Sequence, residues 1–256
     1  MGFVKHESCP QCGSRDNLAR YKDGGAWCFG CSYHERGSLS PYITKERYEQ
    51  DQGCDTLGGA LTLPADAHKL GTESGPASRW LGSYSITPGE ASRAGWLYSP
   101  SYEQLLFPFY NGDGGLCCIQ ARNFNPQRAS RAKYYNKGEK SKSCTIYGQF
   151  TETTGDTGPE HNTRQLVLCE DAVSSLKVAR CCPSMPLLGT HIAKDKLKAL
   201  RASYDSLIVW LDSDKFKEAV YIADTAKWLG FKARAVFTEL DPKELSDETI
   251  RNVLGV

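Results

Sequence analysis

The sequence has no excess of charge of either sign: 31 Lys and Arg stand against 30 Asp and Glu, a formal net charge of +1 over 256 residues. No global field draws the chain to a polyanion or a membrane surface, so any contact with phosphates must come from local clustering. No apolar run approaches the ~18 residues that a membrane span needs. No apolar stretch precedes the first cysteines in MGFVKHESCP, so no secretory leader is expected. The pattern G-x-x-x-x-G-K-[ST] is missing as well, which excludes a P-loop motor. A soluble cytoplasmic chain is expected, long enough for one sizeable core and a small satellite module.

Cysteine, by contrast, is plentiful, with 11 in the chain. Four have the spacing of a metal site and the others are scattered, with adjacent pairs at Cys117-Cys118 and Cys181-Cys182, a usage that suits reduced thiols better than a disulfide scaffold. CPQCG and WCFGC set Cys9, Cys12, Cys28 and Cys31 in the order C-x2-C-x15-C-x2-C. Two short turns then each present two thiolates to one tetrahedral zinc ion, and a piece of ~40 residues needs such a staple to fold. Tyr21, Trp27, Phe29, Tyr33 and His34 interleave with Arg15, Arg20, Lys22 and Arg36. Such a surface stacks bases and pairs with phosphates, although some of the aromatics must serve as the module's own core. From Ser38 to about Gly75 the chain is rich in Gly, Ser, Thr, Pro and Asp and reads as a linker, with one short helix expected around Ile43 to Gln50; Cys54 has no partner at metal spacing.

ASRWLGSYSITPGEASRAGW predicts two short helices around Thr87-Pro88, with Thr87 as N-cap and Glu90 in the first turn. LLFPFYNGDGGLCCIQARNF predicts a hairpin, Leu105 to Tyr110 and Leu116 to Phe124, turning at Asn111 to Gly115. Then comes the local cluster that net charge conceals: Arg122, Arg128, Arg131, Lys133, Lys137, Lys140 and Lys142 against the single acid Glu139, with Tyr134, Tyr135 and Asn136 among them. A charge run is usually a solvated loop. Here the scarcity of acids and the embedded aromatics favour a nucleic-acid surface.

From Arg164 onward apolar strands (LVLCE, MPLL, SLIVWLD, KARAVF) alternate with helical stretches (AVSSLKVARCC, AKDKLKALRAS, FKEAVYIADTAKWLG, SDETIRNVL). Alternation of this kind predicts right-handed crossovers and a mainly parallel sheet, with ligands at the carboxyl ends of its strands. Glu170 ends the first strand, Asp212 and Asp214 close the third, and Asp241 follows the fourth. A carboxylate at a buried strand end is costly unless solvated, paired or metal-bound, and Mg²⁺ held by one or two carboxylates together with substrate phosphates is the natural partner.

Taken together, CPQCG, WCFGC, LLFPFYNGDGGLCCIQARNF, KYYNKG, IYG, CEDAVSSLK, LLGTH, WLDSD and LDPKE resemble, in content and order, the Toprim primases: the bacterial replicative primase and the primase portions of bacteriophage primase-helicases. The resemblance implies an α/β fold made of a zinc ribbon over 1–37, a linker over 38–75, a mixed α+β basic subdomain over 76–163 and a Toprim domain over 164–256 with a mainly parallel sheet flanked by helices. It implies a DNA primase that copies single-stranded DNA into short RNA primers from ribonucleoside triphosphates. Within it Glu170, Asp212 and Asp214 are catalytic, Asp212, Asp214 and Asp241 hold Mg²⁺ or Mn²⁺, Arg122, Lys133 and Lys137 hold template and nucleotide phosphates, and the cysteines hold one structural zinc. A DNA polymerase and a separate replicative helicase are implied partners, the alternative to a separate helicase being that this chain is a piece of a longer one; a phage-encoded protein would work in the host cytoplasm. Two departures from the pattern stand out. Ser174 occupies the place, four residues after the glutamate, where the family has Asp, with Asp171 as an extra neighbour, and GGAW before Cys28 lacks a polar base-contacting side chain. Alternative readings are a Toprim nuclease, a topoisomerase, for which there is little room, and a single-strand-binding protein with a non-catalytic Toprim domain.

Overall fold

Apolar runs and, in β8 and β9, alternating side chains set the strands of this protein, and a few turn residues with special chemistry join them. In the computed structural model residues 3–22, 24–28, 31, 33–35, 61–71, 74–129, 132–148 and 164–256 are described, and the chain divides into two compact units, Met1–Ala60 and Leu61–Val256. In the small unit β1 (Phe3–Glu7), β2 (Leu18–Tyr21), β3 (Ala26–Cys28) and β4 (His34–Glu35) pair antiparallel in sequence order. Its buried apolar cluster is Cys9, Leu18, Ala26 and Cys28, with Cys31 and Tyr33 against it. Among the described residues, thiols are thus half of this buried cluster, and the rest of it is too little to hold a domain.

The large unit begins with an antiparallel sheet, β5 (His68–Lys69), β6 (Leu97–Ser99), β7 (Gln104–Tyr110), β8 (Leu116–Asn123) and β9 (Tyr134–Gly138), again in sequence order. Asn111 builds the β7–β8 turn: its Oδ1 accepts from the amides of Asp113 at 3.1 Å and Gly115 at 2.8 Å. Gly114 there takes a φ of 77°, which glycine adopts without strain. The helices Gly75–Gly82 and Pro88–Arg93 form as expected. The second opens on a capping box, in which Thr87 Oγ1 accepts from the Glu90 amide at 3.2 Å and Glu90 accepts from the Thr87 amide at 3.4 Å.

The linker expected over 38–75 extends too far. Leu61, Leu63 and Ala67 pack against Leu106, Ile119 and Ala121, β5 pairs with β6, and Asp66 accepts from Ser99 Oγ and the Ser101 amide, both at 2.8 Å. Composition marked this stretch as loop, yet its spaced apolar residues have a sheet face to land on. Residues 38–60, including the helix expected over 43–50 and Cys54, lie outside the described residues, as do Phe29, Arg36 and Arg131 and the side chains of His34 and Arg128.

Four strands form the second sheet: β10 (Gln165–Cys169), β11 (Ser184–Pro186), β12 (Ser206–Trp210) and β13 (Lys232–Ala235), all parallel, in the order β11-β10-β12-β13. Helices Ala172–Val178, Lys194–Leu200 and Phe216–Trp228 make the crossovers, and Asp247–Leu254 follows β13. Leu166, Leu168, Leu207 and Val209 face one core with Ala219 and Ile222, whereas Val167, Cys169, Ile208 and Trp210 face another with Val178 and Ile250. Burial on both faces explains why these strands read as continuous apolar runs. The chain leaves β10 to one side and returns as β12 on the other, so a crevice opens at the carboxyl ends of these two strands.

The layers expected as 76–163 and 164–256 share a core. Trp96, Phe107 and Tyr147 belong to the same buried cluster as Ala172, Val173, Leu176 and Leu188, and Trp96 Nε1 donates to the Tyr147 hydroxyl at 3.0 Å. Arg180 spans both layers: it donates to Glu90 at 2.6 and 2.8 Å, to the Ser85 carbonyl at 2.7 Å and to Asp247 at 2.9 and 3.1 Å. No described helix is long and apolar enough to cross a membrane.

Candidate active site

At the crevice, three loops deliver carboxylates. Glu170 and Asp171 follow β10, Asp212 follows β12, and Asp241 lies beyond β13 at the start of the short turn Pro242–Glu244. Asp171, Asp212 and Asp241 converge on a residue that the sequence reading did not single out, Lys243, whose Nζ lies 3.0 Å from a carboxylate oxygen of each. Asp171 is also the N-cap of helix Ala172–Val178, accepting from the amides of Val173 at 2.7 Å and Ser174 at 2.9 Å. Ser174, fully buried, donates its hydroxyl to Asp171 at 3.0 Å. The departure at Ser174 is therefore a partner for Asp171, which takes a place in the carboxylate cluster. Asp241 Oδ1 accepts from the Ser213 amide at 3.1 Å.

These bonds sort the acids. Asp171 and Asp241 have both oxygens occupied, but Asp212 Oδ1 and Glu170 Oε2 are buried with no hydrogen-bond partner. Burial, with Asp171 adding repulsion, raises the Asp212 carboxyl to about 7 against the pull of Lys243. Glu170 is raised for the same two reasons, and a backbone hydrogen bond from Asp212 opposes this. For Asp241 burial is outweighed by the Ser213 amide and Lys243, and its carboxyl lies below the usual range. Lys243 is pushed well up: burial works against its charge, but Asp171, Asp212 and Asp241 together win. Asp214 stands apart, exposed and paired with Lys215, both acting through space on Glu170. Buried carboxylate oxygens without donors are what a divalent cation satisfies, so the Glu170–Asp212 side fits Mg²⁺ or Mn²⁺.

The basic residues divide in the same way. Arg122, on β8, lies in an aromatic box, with its guanidinium carbon 4.2 Å from the ring centre of Trp80, 4.9 Å from Tyr134 and 5.5 Å from Phe124. Its Nε is buried without a partner. Although its ring is partly exposed, desolvation pushes the Tyr134 hydroxyl up to about 12, a shift that Arg122 opposes and the charge of Asp171 reinforces. Trp80 was legible only as a helix residue. Lys137 is not on the same face: Arg122 sits opposite Tyr134 and Lys137 opposite Ile119, and odd and even positions of a strand point to opposite sides. Lys133, exposed, immediately precedes β9. Lys140 donates to the Leu188 carbonyl at 2.9 Å and Lys142 pairs with Glu139 at 2.9 Å, so these two members of the cluster are engaged within the protein.

In the small unit the four cysteine sulfurs lie within 4.8 Å of one another. Cys9 to Cys31 is 3.6 Å and Cys12 to Cys28 is 3.7 Å, close to the ~3.8 Å edge of a tetrahedron with 2.3 Å zinc–sulfur bonds. Arg20, expected on a nucleic-acid surface, pairs instead with Glu7 and with Glu35, the latter at 3.1 Å. Tyr33 packs on the thiol cluster and donates to Glu35 at 3.1 Å, whereas Trp27 is exposed. Strand pairing brings Glu7 and Glu35 to Arg20, a neighbourhood that spacing along the chain does not reveal.

No protein-family model and no curated protein sequence matches the chain. Solved structures do. The chain is similar to the primase fragment of the bacteriophage T7 primase-helicase protein, with 16% identity, 99% of this chain and 98% of that one covered, and a TM-score of 0.51. It is similar to the zinc-binding and RNA polymerase domains of the Aquifex aeolicus primase, with 13% identity, coverage of 100% and 80%, and a TM-score of 0.56. A third is the DnaG primase catalytic domain bound to single-stranded DNA, with 15% identity, 72% of each chain covered and a TM-score of 0.55. An N-terminal four-cysteine module, an antiparallel layer and a parallel sheet with carboxylates at its switch point, in this order, give the chain the fold that these solved primase domains have.

Proposed function

We propose that this protein is a DNA primase, which joins ribonucleotides into short RNA primers on a single-stranded DNA template. The observation that carries the reading is the pair of unpartnered buried oxygens, Asp212 Oδ1 and Glu170 Oε2, at the carboxyl ends of β10 and β12. The primase fold supports it, and so does the single-stranded DNA bound by one of the similar structures. Asp212 would hold the divalent ion, with Asp214 and Asp241 at its margins. When bound, Mg²⁺ or Mn²⁺ neutralises triphosphate charge and makes the attacking hydroxyl more acidic.

The chain's own residues do the rest. Glu170, whose carboxyl is raised by burial, accepts at Oε2 the proton of the 3′-hydroxyl of one nucleotide, as a general base. The 3′-hydroxyl oxygen, its proton now on Glu170, bonds to the α-phosphorus of the next nucleotide, the bond from that phosphorus to the pyrophosphate oxygen breaks, and pyrophosphate leaves. Arg122, oriented by Trp80 and Tyr134, pairs with a phosphate of template or nucleotide, and exposed Lys133, just before β9, extends the contact, whereas Lys137 faces the other side of the sheet. Cys9, Cys12, Cys28 and Cys31 hold one zinc ion, and exposed Trp27 and Arg15 of that unit meet template bases and phosphates. Helicase and DNA polymerase would act as separate partners.

The test is primer synthesis over a library of short single-stranded templates with labelled ribonucleoside triphosphates. Wild-type protein should give short RNA products and Asp212→Ala none. A second reading has a specific observation in its favour, since Lys243 already neutralises three aspartates: a single-strand-binding module without catalysis. Template binding with no product at any Mg²⁺ or Mn²⁺ level would establish it and refute the first.

A further inference from the structure

An ammonium group has three N–H donors and no acceptor. On Lys243 each donor has a carboxylate, from Asp171, Asp212 and Asp241, all at 3.0 Å, and the side chain is only 17% exposed. Its backbone is held too. Pro242 opens the turn and a reciprocal cap between Asp241 and Glu244 closes it, so the stem of Lys243 starts from a fixed place. The geometry is that of an ammonium. Magnesium takes oxygens at about 2.1 Å, so these three would each have to close in by about 0.9 Å while Lys243 withdrew. Among the described residues, the four cysteines are the one group of three or more such side chains placed to hold a metal ion, and the three aspartates do not form another. Asp212 links the two sides of the site, with Oδ2 on Lys243 and Oδ1 buried and open.

We infer that Lys243 is a permanent counter-cation standing where two-metal centres hold a second ion, so that this centre takes one divalent cation, on the Glu170–Asp212 side. The inference rests on the reading of the site as a divalent-cation centre and deepens it. In two-metal enzymes the ions lie about 3.5–4 Å apart and clamp both the attacking and the leaving oxygen. Here the second position carries a single positive charge that belongs to the chain and cannot depart with pyrophosphate.

Titrating Mn²⁺ into the zinc-loaded full chain, followed by electron paramagnetic resonance and by melting temperature, tests this. Wild-type protein should bind one Mn²⁺ with the spectrum of an isolated ion, and Lys243→Arg likewise. Lys243→Ala should bind two, with a spectrum broadened by coupling and a melting temperature that rises more with Mn²⁺ than that of wild type. Two ions on the wild type would overturn the inference and leave the metal-centre reading in place. One ion on both wild type and Lys243→Ala would overturn the part given to Lys243, and none on either would overturn both. If Lys243→Ala does not fold without Mn²⁺, the wild-type count alone decides.

Discussion

Four thiols in the small unit and three aspartates in the large unit present the same electrostatic problem, a set of anionic ligands brought together, and the chain meets it in two ways. The sulfurs lie within 4.8 Å of one another, whereas the aspartates surround Lys243. Core size accounts for the difference. Among the described residues the thiol cluster includes only Leu18, Ala26 and Tyr33 besides the cysteines, so an ion there must carry folding itself. The aspartates sit at the ends of strands buried on both faces. There the fold stands by itself, and an internal cation keeps the carboxylates from repelling one another.

The largest effect that would sharpen this contrast is chelation. Stripping zinc should unfold the small unit, a loss of ~10 kcal/mol or more of binding energy that is also folding energy, while the large unit keeps its melting transition. Amide hydrogen exchange checks it, and protected amides in β2 and β3 after chelation would break the comparison. Next, Asp212→Asn should lower primer synthesis at least about a hundredfold, the scale seen when a group stabilising developing charge is removed. It should change unfolding free energy by less than about 1 kcal/mol, because a buried and partly unpartnered charge is replaced by a neutral isostere. Equal losses of activity and stability in a urea titration would show that Asp212 is structural. Then Trp80→Ala should weaken binding to a single-stranded oligonucleotide about five- to tenfold by freeing the Arg122 guanidinium, as expected for ~1 kcal/mol of cation–π and ordering. Arg122→Lys should do much the same, since an ammonium cannot stack flat. Fluorescence anisotropy reads both, and unchanged affinity would make the aromatic box a packing feature only. Smallest, Ser174→Ala should cost about 1 kcal/mol, one hydrogen bond to Asp171, with primer yield within about twofold; a total loss of product would mean that the hydroxyl serves the reaction directly.

Local signals in the sequence were reliable where the structure is local. Cysteine spacing, Asn111 in its hairpin turn, the Thr87–Glu90 cap and the apolar runs of β10 and β12 each depend on neighbours a few residues away, and each forms as expected. Linker composition failed over 61–71 because Gly and Pro content does not report whether Leu61 and Leu63 have a surface to cover. Lys243 was invisible for a similar reason: its role arises from loops after three different strands, and nothing in LDPKE distinguishes it from a solvated lysine. Arg122 was found by charge, but the Trp80 that orients it lies on another element. Treating the basic run as one surface also failed, because strand alternation sends Arg122 and Lys137 to opposite faces and Lys140 is spent on Leu188.

Arg180 carries one more implication, for how this chain can be divided. Its guanidinium joins the capped helix Pro88–Arg93, through Glu90, to the helix Asp247–Leu254, through Asp247, above a core that Trp96 and Tyr147 share with Ala172 and Leu176. Cutting between residues 148 and 164 would separate halves that each bury the other's apolar side chains, and neither piece would have its own melting transition. Residues 61–256 should therefore melt as one cooperative unit, and a fragment starting at 164 should expose the apolar side chains that Trp96 and Tyr147 cover.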